Sequence, residues 1–204
     1  IWAPNIHEWI LAALGAQSAG GVLVPFSTRM KGAEAAYVLN KSRARILCTM
    51  GEFLGTNYVR MLRGQDLPDL EKVVVLRGQE AGAESWSAFL TAGSAISAEQ
   101  ARAAMAAVRP NDLSDILFTS GTTGNPKGVM TAHGQNLRTF AEWSRTVGLR
   151  EGDRYLIVNP FSHSFGYKAG WMSCLMRGAT ALPQAVFDVA RVLERIGRDR
   201  VSVL

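Results

Sequence analysis

Short apolar runs alternate with helical-period segments along the whole chain, and this rhythm constrains the fold more than any other feature. Arg45 to Thr49, Lys72 to Leu76, Asp115 to Thr119, Val129 to Ala132, Tyr155 to Val158 and Ala179 to Leu182 are short runs bounded by turn residues, which predicts buried strands. Val22-Leu23-Val24-Pro25 reads as a further short strand, and Ile1-Trp2-Ala3 as part of another. Between these runs, Ile6, Trp9, Ile10, Ala13 and Leu14 recur on one helical face. Asn5 reads as the N-cap of that helix, with Glu8 three residues on as in a capping box. Helices are also predicted around Ala33 to Leu39 and along the Leu137, Phe140, Ala141, Ser144 face. Phe165 to Met176 reads as a mostly apolar, buried helix. Beyond Asp188, which reads as a cap, Val189, Val192, Leu193 and Ile196 form one stripe, with Arg191, Glu194, Arg195 and Arg198 as the wet face. Strand and helix in alternation imply an α/β fold, a layered and mostly parallel sheet flanked by helices. Residues 78–112 break the rhythm. They are rich in Gly, Ala, Ser and Glu, and read as a surface excursion with one or two short helices.

At 204 residues and 48% hydrophobic content the chain is long and apolar enough for a sizeable core, which excludes a disordered or disulfide-scaffold class. Its two cysteines, Cys48 and Cys174, have apolar neighbours and read as reduced core thiols of a cytoplasmic protein. No apolar run approaches the ~18 residues of a membrane span. The net charge of +5 suits a polyanionic ligand such as a nucleotide or coenzyme A, and peripheral contact with an anionic membrane. No Lys/Arg block or aromatic-basic motif points to nucleic acid. The first residue is Ile1 and the last run is apolar, so both ends read as cut from a longer protein.

One segment carries the chemistry. Thr119-Ser120-Gly121-Thr122-Thr123-Gly124-Asn125-Pro126-Lys127-Gly128 places four hydroxyls, three glycines and a lysine in ten residues after a predicted strand. Glycines bring backbone N–H groups close to an anion, hydroxyls donate to phosphate oxygens, and lysine adds a mobile positive charge. The phosphate-loop NTPase pattern fails here. Pro126 precedes the lysine, Gly128 follows it where a Mg²⁺-binding hydroxyl is required, and Gly128-Val129-Met130 reads extended rather than helical. The plain alternative is a hydroxyl-rich turn with a solvated lysine, which leaves the clustering of donors after one strand without a reason.

The segment resembles instead the signature of the adenylate-forming superfamily, which includes acyl-CoA synthetases, nonribosomal adenylation domains and firefly-type luciferases: a Ser/Thr/Gly-rich loop ending in x-P-K-G between two strands. Asn159-Pro160-Phe161-Ser162-His163-Ser164-Phe165-Gly166 resembles the family's proline, aromatic, histidine, glycine segment. The resemblance implies that residues 1–204 form part of the large N-terminal domain of an AMP-forming acyl-CoA synthetase, without its C-terminal domain. It implies activation of a small-molecule carboxylic acid by ATP, with Mg²⁺, to an acyl-adenylate, followed by transfer to coenzyme A. Thr119, Ser120, Thr122, Thr123 and Lys127 would then face the β- and γ-phosphates, and Gly121, Gly124 and Gly128 would permit the loop's shape. Lys127 and His163 are the expected catalytic residues, with His163 near the acyl carboxylate and Phe165, Gly166 and Trp171 as lining of the acyl pocket. An adenylation domain that loads a carrier protein and a noncatalytic relative are the alternatives. His133 reads as structural and His7 as a surface residue. None of the three histidines has metal-ligand spacing with another, so no protein-held metal is expected.

Overall fold

Each of the predicted strand runs from Arg45 onward forms a strand, and their pairing builds the layers. The structure is a computed structural model that describes residues 1–119 and 125–204. Helices α1 (His7–Ser18) and α2 (Gly32–Ser42) lead into β1 (Ile46–Thr49). A small hairpin, β2 (Glu52–Phe53) and β3 (Thr56–Asn57), precedes α3 (Tyr58–Met61) and β4 (Lys72–Val75). The excursion then contributes β5 (Glu84–Ser85), α4 (Trp86–Ala92), a 3₁₀ turn (Gly93–Ala95) and α5 (Ala98–Ala107). β6 (Leu113–Thr119) and β7 (Lys127–Ala132) follow, then α6 (His133–Thr146), β8 (Arg154–Ile157) and a π-helical segment (Phe165–Met172). The chain ends with α7 (Ser173–Arg177), β9 (Thr180–Pro183) and α8 (Val189–Arg198).

The pairs β1/β4, β4/β5 and β8/β9 are parallel, whereas β2/β3 and β6/β7 are antiparallel. Single parallel bridges join Trp2 to Thr49 and Leu23 to Asp115, which makes the first predicted runs one-residue contacts rather than full strands. Helices cover these ladders around one core of Trp2, Trp9, Phe26, Val38, Leu47, Phe161, Tyr167 and Trp171. Four of those aromatics interlock: Trp9 meets Phe161 and Trp171 edge-on at 5.4 and 5.9 Å, and Tyr167 stacks on Trp171 at 5.0 Å. No helix among the described residues is long and apolar enough to cross a membrane.

Several local expectations are corrected. Asn5 does not cap α1. Ile6 takes the cap position, and the buried Asn5 side chain bonds across the core instead. Glu8 accepts two bonds from Arg77, at 2.7 and 2.9 Å, in place of closing a capping box. The 165–176 helix is not one α-helix. It is a π-helical segment running into α7, with Gly170 at non-helical angles and its Cβ position 3.0 Å from Ile157. On α6 the exposed Leu137 lies off the buried face, which is formed by Gly134, Asn136 and Ser144. Arg195 is not on a wet face, because it donates to Asp199, to the Pro183 carbonyl and to Gln184. Asp188 does cap α8, accepting from the Arg191 N–H at 2.8 Å.

Candidate functional site

The Gly/hydroxyl segment joins two strands of an antiparallel hairpin, and the pairing runs to its mouth. Thr119 is the register partner of Lys127, and Phe118 of Gly128. The Thr119 hydroxyl donates to the Lys127 carbonyl at 3.4 Å. Both residues are exposed, and among the described residues Lys127 makes no ion pair. Ser120, Gly121, Thr122, Thr123 and Gly124 lie outside the described residues. On the C-terminal side of the loop, the Tyr37 hydroxyl donates to the Pro126 carbonyl at 3.2 Å, and the Tyr37 ring meets Phe118 edge-on. Helix α2 therefore buttresses the point where the chain re-enters β7. Gly128 is required by space rather than by its φ. A Cβ there would lie 2.7 Å from Ile116 Cγ2, on the face where Ile116 and Phe118 pack.

Four residues along each strand from Thr119 and Lys127, the hairpin carries a buried polar cluster. Asp115, fully buried on β6, accepts from the Thr131 hydroxyl at 2.7 Å and from the Asn136 amide at 2.5 Å. The Lys168 ammonium, 3% exposed in the π-helical segment, reaches Asp115 Oδ1 at 2.8 Å and donates to the Thr131 hydroxyl at 2.9 Å. Asn136 also donates to the Ser114 hydroxyl, and Gln17 donates to that hydroxyl and to the Tyr167 phenol. Burial, with the Asp115 carboxylate nearby, pushes the Tyr167 hydroxyl well above its ordinary range. A buried ion pair is tolerated only when its remaining lone pairs and protons find partners, and this one is so provided. Asp115 and Lys168 are the residues that sequence reasoning missed. The signal was present: a lone lysine inside an otherwise apolar, buried helix requires an anionic partner.

His163 sits in a turn that is held from three sides. Its N–H donates to the Pro160 carbonyl at 3.0 Å, and its own carbonyl accepts from Tyr167. Asn5 donates to the Ile157 and Asn159 carbonyls and accepts from the Phe161 N–H. Gly166 starts the next element so close to this turn that a Cβ would fall 2.3 Å from two backbone oxygens, those of Asn159 and Pro160. The His163 side chain is exposed, as is its neighbour Ser164.

A cleft of about 600 Å³ opens between the β6/β7 face, α6 and this segment, and Thr119, Thr131, Ser164 and Lys168 all line it. The start of the Gly/hydroxyl segment and the residue after His163 thus share one opening. Of the expected lining residues, Phe165 is half exposed against Trp143, whereas Gly166 and Trp171 are buried. Trp171 lies in the aromatic core and takes no part in the cleft wall. His133 opens α6 with its N–H donating to Asp112, and His7 is an exposed partner of Glu8 and Arg77.

Comparison with known proteins gives this geometry its setting. A family model described as AMP-binding enzyme matches residues 1–204. The chain belongs to the AMP-binding enzyme family. Across its whole length the chain is 41% identical to 3-[(3aS,4S,7aS)-7a-methyl-1,5-dioxo-octahydro-1H-inden-4-yl]propanoyl:CoA ligase of Rhodococcus jostii (strain RHA1), covering 41% of that protein. It is 44% identical to the protein of the same name in Mycobacterium tuberculosis (strain ATCC 25618 / H37Rv), covering 40% of it. Its fold is similar to the crystal structure of the anthranilate CoA ligase AuaEII in complex with anthranoyl-AMP, with a TM-score of 0.78 and 28% identity over 96% of this chain and 37% of that one. The N-terminal domain of FACL13 from Mycobacterium tuberculosis, crystallised with an inhibitor, gives 0.77 and 26% over 98% of this chain and 46% of that one. The chain spans about two fifths of the length of the curated relatives it matches.

Proposed function

We propose that the full-length protein joins a carboxylic acid to coenzyme A through an acyl-adenylate made from ATP. The observation that carries this reading is the hairpin mouth. Thr119 and Lys127 are cross-strand partners at the two ends of a hydroxyl- and glycine-rich loop, in a chain of the AMP-binding family. Attack of a carboxylate on a phosphorus atom brings two anions together, so neutralising charge dominates such a barrier. In this reading Lys127 and the Thr119 hydroxyl, with Ser120, Thr122 and Thr123, hold the β- and γ-phosphates, Gly121 and Gly124 let the loop fold around them, and pyrophosphate departs from their grip. The exposed His163, in its braced turn beside the cleft, meets the incoming carboxylate. Mg²⁺ would neutralise phosphate charge when bound. No group of three carboxylate, histidine or cysteine side chains among the described residues forms a cage for it.

For the acid itself we propose a propanoate carried on a fused-ring skeleton with ring ketones. The support is the acid named for both relatives, at 41% and 44% identity. A second class is kept in the test because the chain is also 30% identical to the human medium-chain acyl-CoA ligase ACSF2. The experiment is to incubate the full-length protein with ATP, hydroxylamine and each acid, and to measure the acyl hydroxamate. The ring propanoate is expected to give hydroxamate in preference to octanoate. Hydroxamate from octanoate alone overturns the acid assignment, and none from any carboxylic acid overturns the adenylation reading.

A further inference from the structure

We propose that Lys168 is a positioning residue, which with Asp115 locks the strand register that sets Lys127 opposite Thr119 and ties the loop-bearing hairpin to the segment that follows His163. This inference deepens the adenylation reading and rests on it. Asp115 and Thr131 are cross-strand partners, and four residues nearer the loop on each strand are the partners Thr119 and Lys127. Side chains alternate with period two along a strand, so all four positions share one face of the hairpin. A slip of one residue would turn Lys127 to the opposite face and carry Thr131 away from Asp115. The register already shifts between Leu113 and Asp115, at the base of the hairpin, so an alternative pairing has a ready starting point.

Lys168 reads both strands at once. Its ammonium is 2.8 Å from Asp115 Oδ1 on β6 and 2.9 Å from the Thr131 hydroxyl on β7. A slipped hairpin would leave a buried charge without its partner, which the low-dielectric interior does not tolerate. Lys168 is also fixed at its own end, because its carbonyl accepts from the buried Ser173 hydroxyl at 2.8 Å. It stands four residues after Ser164, and both line the cleft that Thr119 enters. One side chain thus sets the loop's anchor residues and the His163 turn in a common frame. Holding two reactants at attack distance needs such a frame, and a small misplacement lowers the rate of the chemical step more than it lowers affinity.

The test uses the full-length protein and acid-dependent pyrophosphate release. Asp115→Asn/Lys168→Met removes both charges and leaves no unpaired ion in the core. We expect it to keep the parent's thermal midpoint within a few degrees while kcat falls at least tenfold and KM for ATP and for the acid changes less than threefold. Asp115→Glu keeps the pair but adds a methylene at a fully buried position, so its midpoint is expected to fall by a few degrees while kcat falls in the same direction as in the double variant. It supplies the same reading if the double variant fails to fold. An active parent with either folded variant within twofold of its kcat overturns the positioning role and leaves the adenylation reading intact. A parent that releases no pyrophosphate with any acid overturns both.

Discussion

Asn5 holds the turn at Phe161 across 156 residues of sequence: its Oδ1 accepts from the Phe161 N–H at 2.8 Å, while its amide donates to the Ile157 carbonyl at 3.1 Å and the Asn159 carbonyl at 2.8 Å. The side chain is 5% exposed, so water is a poor substitute for any of the three bonds. Asn5→Ala is therefore expected to destabilise the protein by about 3 kcal/mol, since buried backbone groups would lose their partners. Urea unfolding of the variant checks this. A loss below about 0.5 kcal/mol would show that the turn before His163 is braced by other means.

Gly128 and Gly166 should rank in a definite order. At Gly128 the added methyl meets one side-chain carbon at 2.7 Å, whereas at Gly166 it meets two backbone oxygens at 2.3 Å. Overpacking against a side chain costs roughly 1–3 kcal/mol, and a backbone clash costs more because the whole turn must shift. Gly166→Ala should thus be the more destabilising in thermal melts. Ile116→Ala should partly rescue Gly128→Ala, giving a double variant more stable than the sum of the two single losses. Strict additivity would refute the contact as the cause.

The ends of α8 and β9 carry an acid-sensitive lock. Hydrogen bonds from Arg198 and then Arg195 hold the Asp199 carboxyl down at about 2, below the ordinary aspartate value of 3.8. The folded value is the lower one, so the stabilisation is complete above pH 3.8 and is lost as pH falls through about 2. Asp199→Asn should flatten the stability–pH curve over that acid window and leave its shape near neutrality unchanged. An unaltered acid limb in a denaturation series would show that the pair does not contribute.

Burial pushes the Cys174 thiol up to about 12 and raises that of Cys48. Alkylation by iodoacetamide at pH 8 should therefore be slow at both in the folded protein, and slower at the fully buried Cys174. Labelling of Cys174 in the native state at the rate of a free peptide thiol would contradict its place in the core.

The strand–helix rhythm was legible because each strand from β1 onward that carries the layers is a short apolar run between turn residues, a local pattern. Asp188 as a cap was legible for the same reason, since its acceptor and donor lie three residues apart. Asn5 was not legible as a brace, because its cap-like position is local while its three partners lie more than 150 residues away. Tertiary demand for a donor beneath the Phe161 turn prevailed over the capping preference. The role of Lys168 was hidden for a related reason, since its partners lie far away in sequence. Only the β6/β7 pairing brings Asp115 and Thr131 together to meet its charge. In the candidate site the residue types of the loop were legible. The register that sets Thr119 against Lys127, and the cleft shared with Ser164, depend on pairing and packing that no single segment encodes.

The most direct test of the account is a comparison of ATP and AMP affinity in the full-length protein and in Lys127→Ala. Lys127 is exposed and makes no ion pair among the described residues, so the variant's stability should stay within about 0.5 kcal/mol of the parent. A lysine that grips the outer phosphates contributes a charge-assisted contact of about 1.5–3 kcal/mol, which ATP can use and AMP cannot. The parent is expected to bind ATP more tightly than AMP, and Lys127→Ala to lose roughly 10- to 100-fold in ATP affinity with AMP affinity unchanged. Equal affinities for the two nucleotides in the parent, or an equal loss for both in the variant, would contradict it.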